Sequence, residues 1–399
     1  MTRALPSPSP HARHWDLDPG VVFLNHGSFG ACPRAVLEHQ RELQSRLEAE
    51  PVLFLGRELE GRLDAARHEL AAFVRCDPDD LAFVANATAG VNTVLRSLEL
   101  EPGDELLVLD HEYNACRNAL DFTAARTGAR VVAIAVPLPV AGPQQVIDAV
   151  LTAVSPRTRM LLIDHVTSQS GLVLPVEAIV HALRERGIDT LVDGAHAPGM
   201  VPLDLDRLGA AWYTGNCHKW LCAPKGSALL HVRRDRQGAI RPLAISHGAN
   251  SQRRDRSRFR LEFDFVGTDD PTAFLCVPAA LRFLASLLPG GITALQRHNR
   301  ELTLAARRLL LGAIGTTPIA PEEMLGSLAS VQLAPANAGW PPTHDGDPLQ
   351  TWLWREHRIE VPVMNLGRTR LPRVSPQIHN SLAQYEHLAA VLRDASVPR

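Results

Sequence analysis

Seven short apolar runs between residues 81 and 232 constrain this chain more than any other feature. They are LAFVAN (81–86), ELLVLD (105–110), ARVVAIAV (129–136), RMLLID (159–164), DTLVD (189–193), AAWYTG (210–215) and SALLHV (227–232). Helix-period stretches accompany them, such as ELEGRLDAARHELAAFV (58–74) and PVEAIVHALRERG (175–187). Strand–helix alternation at this spacing predicts an α/β fold, a mostly parallel seven-stranded sheet covered by helices on both faces. From about residue 272 the pattern turns to long helices, AFLCVPAALRFLASLL and ITALQRHNRELTLAARRLLLGAI, then a mixed segment and a last helix, IHNSLAQYEHLAAVLRDA. With 399 residues the chain exceeds one typical core. The expected division is a loose lead-in at 1–20, a large α/β domain at 21–285 and a smaller C-terminal α+β domain at 286–399.

Bulk properties exclude several classes. The formal net charge of −2 gives no pull toward nucleic acid or an anionic membrane. The most basic region, RRDRQGAIRP with QRRDRSRFR (233–260), is interrupted by Asp235 and Asp255 and holds a single aromatic, Phe259, so it reads as a solvated loop. No apolar run reaches the roughly 18 residues of a membrane-spanning helix. The start, MTRALPSPSPHARHW, lacks the apolar core of a secretory signal. Cysteines 32, 76, 116, 217, 222 and 276 are scattered, which suits a reducing cytoplasm.

In such sheets ligands gather at the carboxyl ends of strands. Polar groups cluster there: Asn86-Ala87-Thr88, His111-Glu112-Tyr113-Asn114, His165-Val166-Thr167-Ser168, Asp193-Gly194-Ala195-His196 and Asn216-Cys217-His218-Lys219. Lys219 and Lys225 are the only lysines; every other cationic side chain of this type is arginine. Arginine stays protonated, whereas a desolvated lysine can serve as the free amine that imine formation with a carbonyl needs. Lys219, between His218 and Trp220, suits a pocket, while Lys225 in APKG suits a turn. Asp193 ends an apolar strand, where a carboxylate is costly without a partner. The protonated ring nitrogen of pyridoxal phosphate would be such a partner. Ala87-Thr88-Ala89-Gly90, between strand and helix, offers backbone N–H groups and a hydroxyl for a phosphate. Cys217, His218 and Cys222 are too tightly spaced for a tetrahedral zinc site, and no fourth ligand is evident, so no metal is expected. GVVFLNHGSFG lacks the Lys-Ser/Thr ending of a nucleotide-binding loop.

Together these residues make the chain resemble the class V aminotransferase family of fold-type I pyridoxal-phosphate enzymes, and within it the isopenicillin N epimerase-like branch. FLNHGSFGACP (23–33), NATAGVNTVL (86–95), DHEYNA (110–115), VDGAHAPG (192–199), GNCHKWLCAPKG (215–226), VGTDDP (266–271) and LPRVSPQIHNSLAQYEHL (371–388) carry the likeness in family order. The resemblance implies that Lys219 is the imine-forming lysine and Asp193 the partner of the ring nitrogen. It places His196 beside the cofactor's phenolic oxygen and Tyr113 over its ring. Thr88, Asn216 and His218, with the N–H of Ala87, fall at phosphate-contacting positions, and Ser168 stands where many relatives have an asparagine near the cofactor. Thr268 matches a threonine that reaches the neighbouring subunit's phosphate, which implies a homodimer with shared sites. Arg373 matches the arginine that holds a substrate α-carboxylate, and His26 and Ser28 border the substrate.

No cysteine follows Cys276, where cysteine desulfurases of this class carry their nucleophile, so persulfide-forming desulfuration is disfavoured. The expected activity is therefore chemistry at Cα of an amino acid or peptide conjugate, epimerase-like, with carbon–sulfur lysis or transamination as alternatives and a non-catalytic cofactor-binding regulator as a further one.

Overall fold

The computed structural model describes residues 5–333 and 346–393. At its centre lies one seven-stranded sheet: β1 Leu81–Val84, β2 Glu105–Leu109, β3 Arg130–Ile134, β4 Thr158–Asp164, β5 Asp189–Asp193, β6 Trp212–Asn216 and β7 Ala228–Val232. The spatial order is β1-β7-β6-β5-β4-β2-β3. Only β7 is reversed, pairing antiparallel with β6 on one side and β1 on the other. Each apolar run thus forms one strand of a mostly parallel α/β sheet.

Burial on both faces explains why the runs are apolar without interruption. Leu106 and Val108 of β2 face a core with Val91, Val94 and Leu120, while Leu107 and Leu109 face the opposite core with Leu161, Ile179 and Val180. The covering helices include α1 Arg34–Ala49, α2 Leu59–Val74, α3 Ala87–Ser97, α4 Asn114–Thr127, α5 Pro143–Ala153 and α6 Val176–Arg184. Further along come α7 Val277–Ser286, α8 Gly291–Ile314 and α9 Leu382–Leu392; α8 and α9 pack on each other. A three-stranded antiparallel sheet joins β8 Ala329–Ser330, β9 Val363–Leu366 and β10 Thr369–Val374 in the order β9-β10-β8.

Two local features position the site. Helix α3 is pressed onto the sheet at Gly90, where an added Cβ would lie 2.2 Å from Thr214 Oγ1 of β6. Its first turn therefore sits at the carboxyl edge of the sheet, and Asn86 caps it by accepting the Ala89 N–H. The N-terminal segment also departs from the loose lead-in expected of it. Trp15 is buried, donates to the Ala31 carbonyl and packs edge-on against Phe283 and His379. Val22–Phe23 then pairs in parallel with Ile359–Glu360. The burial of one large aromatic side chain is enough to anchor such a segment. Among the described residues no single helix is long and apolar enough to cross a membrane.

Candidate active site

Strands β4, β5 and β6 end in Asp164, Asp193 and Asn216, and the chain leaving β6 carries Lys219 into the cavity they border. That cavity has a volume of about 510 Å³, within the range of small-molecule sites. Thr88, Tyr113, Ser168, His196, His218 and Ser28 also line it. Cross-chain contacts hold the lysine loop in place. Gly30 (φ +70°) passes so close that an added Cβ would lie 2.0 Å from the His218 carbonyl oxygen and 2.9 Å from Lys219 Cα. Lys225 Nζ donates to the Gly30 carbonyl at 2.9 Å, so this lysine ties two loops together at the cavity rim.

Lys219 reaches the cavity but is ringed by protein. Burial, and then the nearby Arg373 guanidinium, lower its pKa to about 8, with Asp193 and Asp164 opposing. Its Nζ lies 3.0 Å from His196 Nε2. The Trp220 indole N–H, which can only donate, points at His196 Nδ1 at 3.4 Å. Burial keeps that imidazole neutral, its pKa well below normal. With Nδ1 as acceptor, Nε2 carries the proton and donates to Lys219, and a lysine that accepts is an unprotonated amine. Trp220 and His196 thus favour the nucleophilic form.

Asp193 is buried, and burial raises its pKa. Its Oδ1 accepts the Ala195 N–H at 2.9 Å and its Oδ2 accepts the Cys116 thiol at 3.0 Å. The sequence assigned no role to its neighbours Asp164, Glu112 and Cys116, although Glu112 stands in one of the strand-end polar clusters. Asp164 ends its strand as Asp193 does, so the same end-of-strand signal applied to it.

At the α3 end, Ala87 does not offer the donor expected of it. Its N–H is taken by Asn216 Oδ1 at 2.8 Å, because the helix start abuts the end of β6. The groups left facing the cavity there are the Thr88 N–H and hydroxyl, which take no partner among the described residues, with Asn216 beside them. His218 points Nδ1 at the Ser227 carbonyl at 3.2 Å, and burial lowers its pKa to about 4. Its Nε2 is then an acceptor; donating to a phosphate requires the imidazolium, which the negative charge of a bound phosphate would favour.

Arg373, on β10, is fully buried and has no carboxylate partner among the described residues. Its guanidinium donates to the Ser168 carbonyl at 2.6 Å and to Ser28 Oγ at 3.0 Å, and its Nε has no partner. Burial lowers its pKa from 12.5 to about 10. A buried guanidinium without an anion is costly, and a bound carboxylate would relieve it.

Two expected substrate residues are outside the cavity lining: Arg373, which donates to the lining residues Ser28 and Ser168, and His26. His26 is not a cavity residue: it is buried behind the lysine, with Nε2 3.1 Å from the Lys219 carbonyl oxygen and Nδ1 3.3 Å from His379 Nε2. The flanking residues Asn25 and Gly27 are both tied to Ser375, and a substrate contact is replaced by support of the lysine backbone. Thr268, expected to reach a neighbouring subunit's phosphate, is exposed and outside the lining of this chain's own cavity. Cys217, His218 and Cys222 do not converge: His218 faces Ser227, while the Cys222 sulfur lies 3.7 Å from His26. Arginines of the 233–260 run pair with acids, Arg253 with Glu60 and Asp255, Arg256 with Asp64, and Arg236 with Asp189.

These residues fit pyridoxal phosphate. An amine of lowered pKa, a buried acid across the cavity and unpartnered donors at a helix start are the three partners its aldehyde, ring nitrogen and phosphate require. A family model described as aminotransferase class-V matches residues 22–339. The chain is 36% identical over 394 residues to an isopenicillin N epimerase of Amycolatopsis lactamdurans, covering 95% of this chain and 96% of that protein. It is 31% identical to a probable chloroplastic L-cysteine desulfhydrase of Arabidopsis thaliana, covering 93% and 82%. Among solved structures, a C-DES mutant with glycine covalently linked to its PLP cofactor superposes with a TM-score of 0.81 at 23% identity, covering 94% of this chain and 96% of that one.

Proposed function

Because this chain belongs to the aminotransferase class-V family of pyridoxal-phosphate enzymes, we propose that it acts at Cα of an amino acid or peptide conjugate, with epimerisation as its reaction. The observation that carries the reading is a pair of complementary groups: Lys219, a cavity-lining amine lowered to about pKa 8, and the nearby Arg373, a buried guanidinium that donates to the lining residues Ser28 and Ser168 and has no carboxylate partner among the described residues. At pH 7.5 about a quarter of such amines are free, against about one in a thousand for an ordinary lysine.

Bound pyridoxal phosphate supplies an electron sink for a carbanion at Cα. Arg373 grips the substrate carboxylate, and Ser28 and Ser168 hold the guanidinium in plane for that contact. Lys219 takes the Cα proton, with His196 ready to donate to the amine when it is free. Asp193 keeps a proton on the ring nitrogen. Thr88, Asn216 and His218 would hold the phosphate, and Tyr113, exposed at the cavity, would cover the ring. The isopenicillin N epimerases at 36% and 37% identity favour epimerisation.

A carbon–sulfur lyase is the second reading, supported by the desulfhydrase relatives and needing only the same lysine. No cysteine lines the cavity, so neither reading involves a protein persulfide. We also read the protein as a homodimer, residues 21–285 as its cofactor domain and 286–399 as the smaller one. Exposed Leu243 and Val266 line one groove with Gly267, the neighbour of Thr268, and with exposed Ile245 suit a face covered by a second copy.

The test is incubation of the loaded enzyme with L-amino acids and cysteine conjugates in heavy water. Solvent deuterium at Cα with a D-product supports epimerisation. Pyruvate with a released thiol would replace it by the lyase reading, and no exchange at Cα with any substrate would sink both.

A further inference from the structure

The chamber beneath the cavity holds more acid than one ring-nitrogen partner needs. Asp164 and Asp193 are in-register partners on parallel β4 and β5, so their side chains leave the same face of the sheet, and both border the cavity. Glu112, in the turn between β2 and α4, is buried behind them. One of its carboxylate oxygens, Cys116 Sγ and an Asp193 oxygen lie within 4.8 Å of one another. Asp193 has partners for both oxygens, whereas neither oxygen of Glu112 has one, nor does Asp164 Oδ2.

The surroundings cannot neutralise three carboxylates. Among the described residues, Lys219 is the one cation acting on Asp164 and Asp193. Arg117 reaches Glu112 only from outside, and its guanidinium is engaged with Asp121. The Tyr113 backbone N–H helps Glu112 and Asp164 slightly, while the buried Tyr213 phenol and Cys116 thiol both stay neutral near Asp193. A buried carboxylate without donors is strongly disfavoured, whereas a protonated carboxyl carries its own donor. The trio Glu112, Cys116 and Asp193 is also spaced for a metal ion. Such an ion would need the Cys116 thiolate, which burial opposes, and would occupy the oxygens that Asp193 turns to the cofactor.

We propose that Glu112 and Asp164 hold protons at neutral pH, and that Glu112 is thereby a positioning residue that leaves Asp193 as the single ionised acid available to the ring nitrogen. The second half rests on the reading of Asp193 given above; the first half does not.

The test compares the pyridoxal-phosphate-loaded wild type with Glu112→Gln and Asp164→Asn by reversible denaturant unfolding between about pH 6 and pH 8. Each proton held by the folded but not the unfolded chain makes the unfolding constant rise about tenfold per pH unit. Each variant should therefore show an unfolding constant that rises about tenfold less per pH unit than the wild type's. Equal pH dependence in wild type and Glu112→Gln would overturn the proposal, since an ionised Glu112 binds no proton in either state. The second readout is the ring-nitrogen NMR shift of ¹⁵N-labelled cofactor. It should be that of a protonated ring in wild type and Glu112→Gln, and unprotonated in Asp193→Asn. A ring that stays protonated in Asp193→Asn would remove the role of Asp193 while leaving the slope comparison to decide the held protons.

Discussion

Arg373→Met separates a binding residue from a structural one. The guanidinium is charged at neutral pH in the folded and the unfolded chain, and its folded pKa is lowered from 12.5 to about 10. The full cost of burying the charge is therefore present at pH 7, about 3 kcal/mol at 1.36 kcal/mol per pKa unit. Against it stand hydrogen bonds to the Ser168 carbonyl and Ser28 hydroxyl, which at the rate for a charged donor together contribute about 3–6 kcal/mol net. The substitution removes both contributions, so the unfolding free energy should fall by no more than about 3 kcal/mol. Substrate binding should not be spared. Losing two charge-assisted hydrogen bonds to a carboxylate costs about 3–6 kcal/mol, on the order of 10²–10⁴ in affinity. The assay titrates an unreactive α-substituted amino acid and its decarboxylated amine against the loaded enzyme, read by cofactor absorption, alongside urea unfolding. The amino acid should lose affinity by that factor and the amine should not. Equal losses for the two ligands, or a fall in stability beyond about 3 kcal/mol, would refute the assignment of Arg373 to a carboxylate.

Three further outcomes follow from the same geometry. Gly30→Ala places a Cβ against the His218 carbonyl at a backbone φ of +70°. It should cost on the order of 3 kcal/mol in stability and loosen cofactor retention, checked by urea unfolding and dialysis of the loaded protein. Capture of pyridoxal phosphate by cofactor-free protein requires the unprotonated Lys219 amine. Because burial lowers that pKa to about 8, stopped-flow capture rates should rise with pH and level off above about 8; an inflection near 10 would contradict the buried, Arg373-flanked lysine. Lys225→Met should lose about 1 kcal/mol of stability with the Gly30 carbonyl contact, yet still take up cofactor with its characteristic absorption.

What could be read without coordinates followed the physics of strands. A strand buried on both faces is apolar along its whole length, so all seven runs announced themselves, and Asp193 stood out as a carboxylate closing one of them. Lys219 stood out because a chain built on arginine keeps lysine where an amine is needed. Strand order and the reversal of β7 had no such signal, since antiparallel β7 is as buried as its parallel neighbours. Asp164 carried the same end-of-strand signal as Asp193, but the grouping of acids behind Asp193 was missed for a related reason. Their proximity is created by the β4–β5 register and by the turn that buries Glu112, neither of which leaves a local pattern. His26 shows the converse error: a polar residue in a motif bordering the site was expected to face it. Instead the flanking residues Asn25 and Gly27 are both tied to Ser375, and the imidazole lies against the Lys219 carbonyl.

The measurement that bears most directly on the central claim is reduction of the loaded enzyme with borohydride, followed by peptide mapping. With only Lys219 and Lys225 in the chain, the outcome is a choice between two peptides or none. The pyridoxyl label is expected on Lys219 alone, with the visible absorption abolished on reduction. Label on Lys225, whose amine is committed to the Gly30 carbonyl, or on neither lysine, would contradict the account.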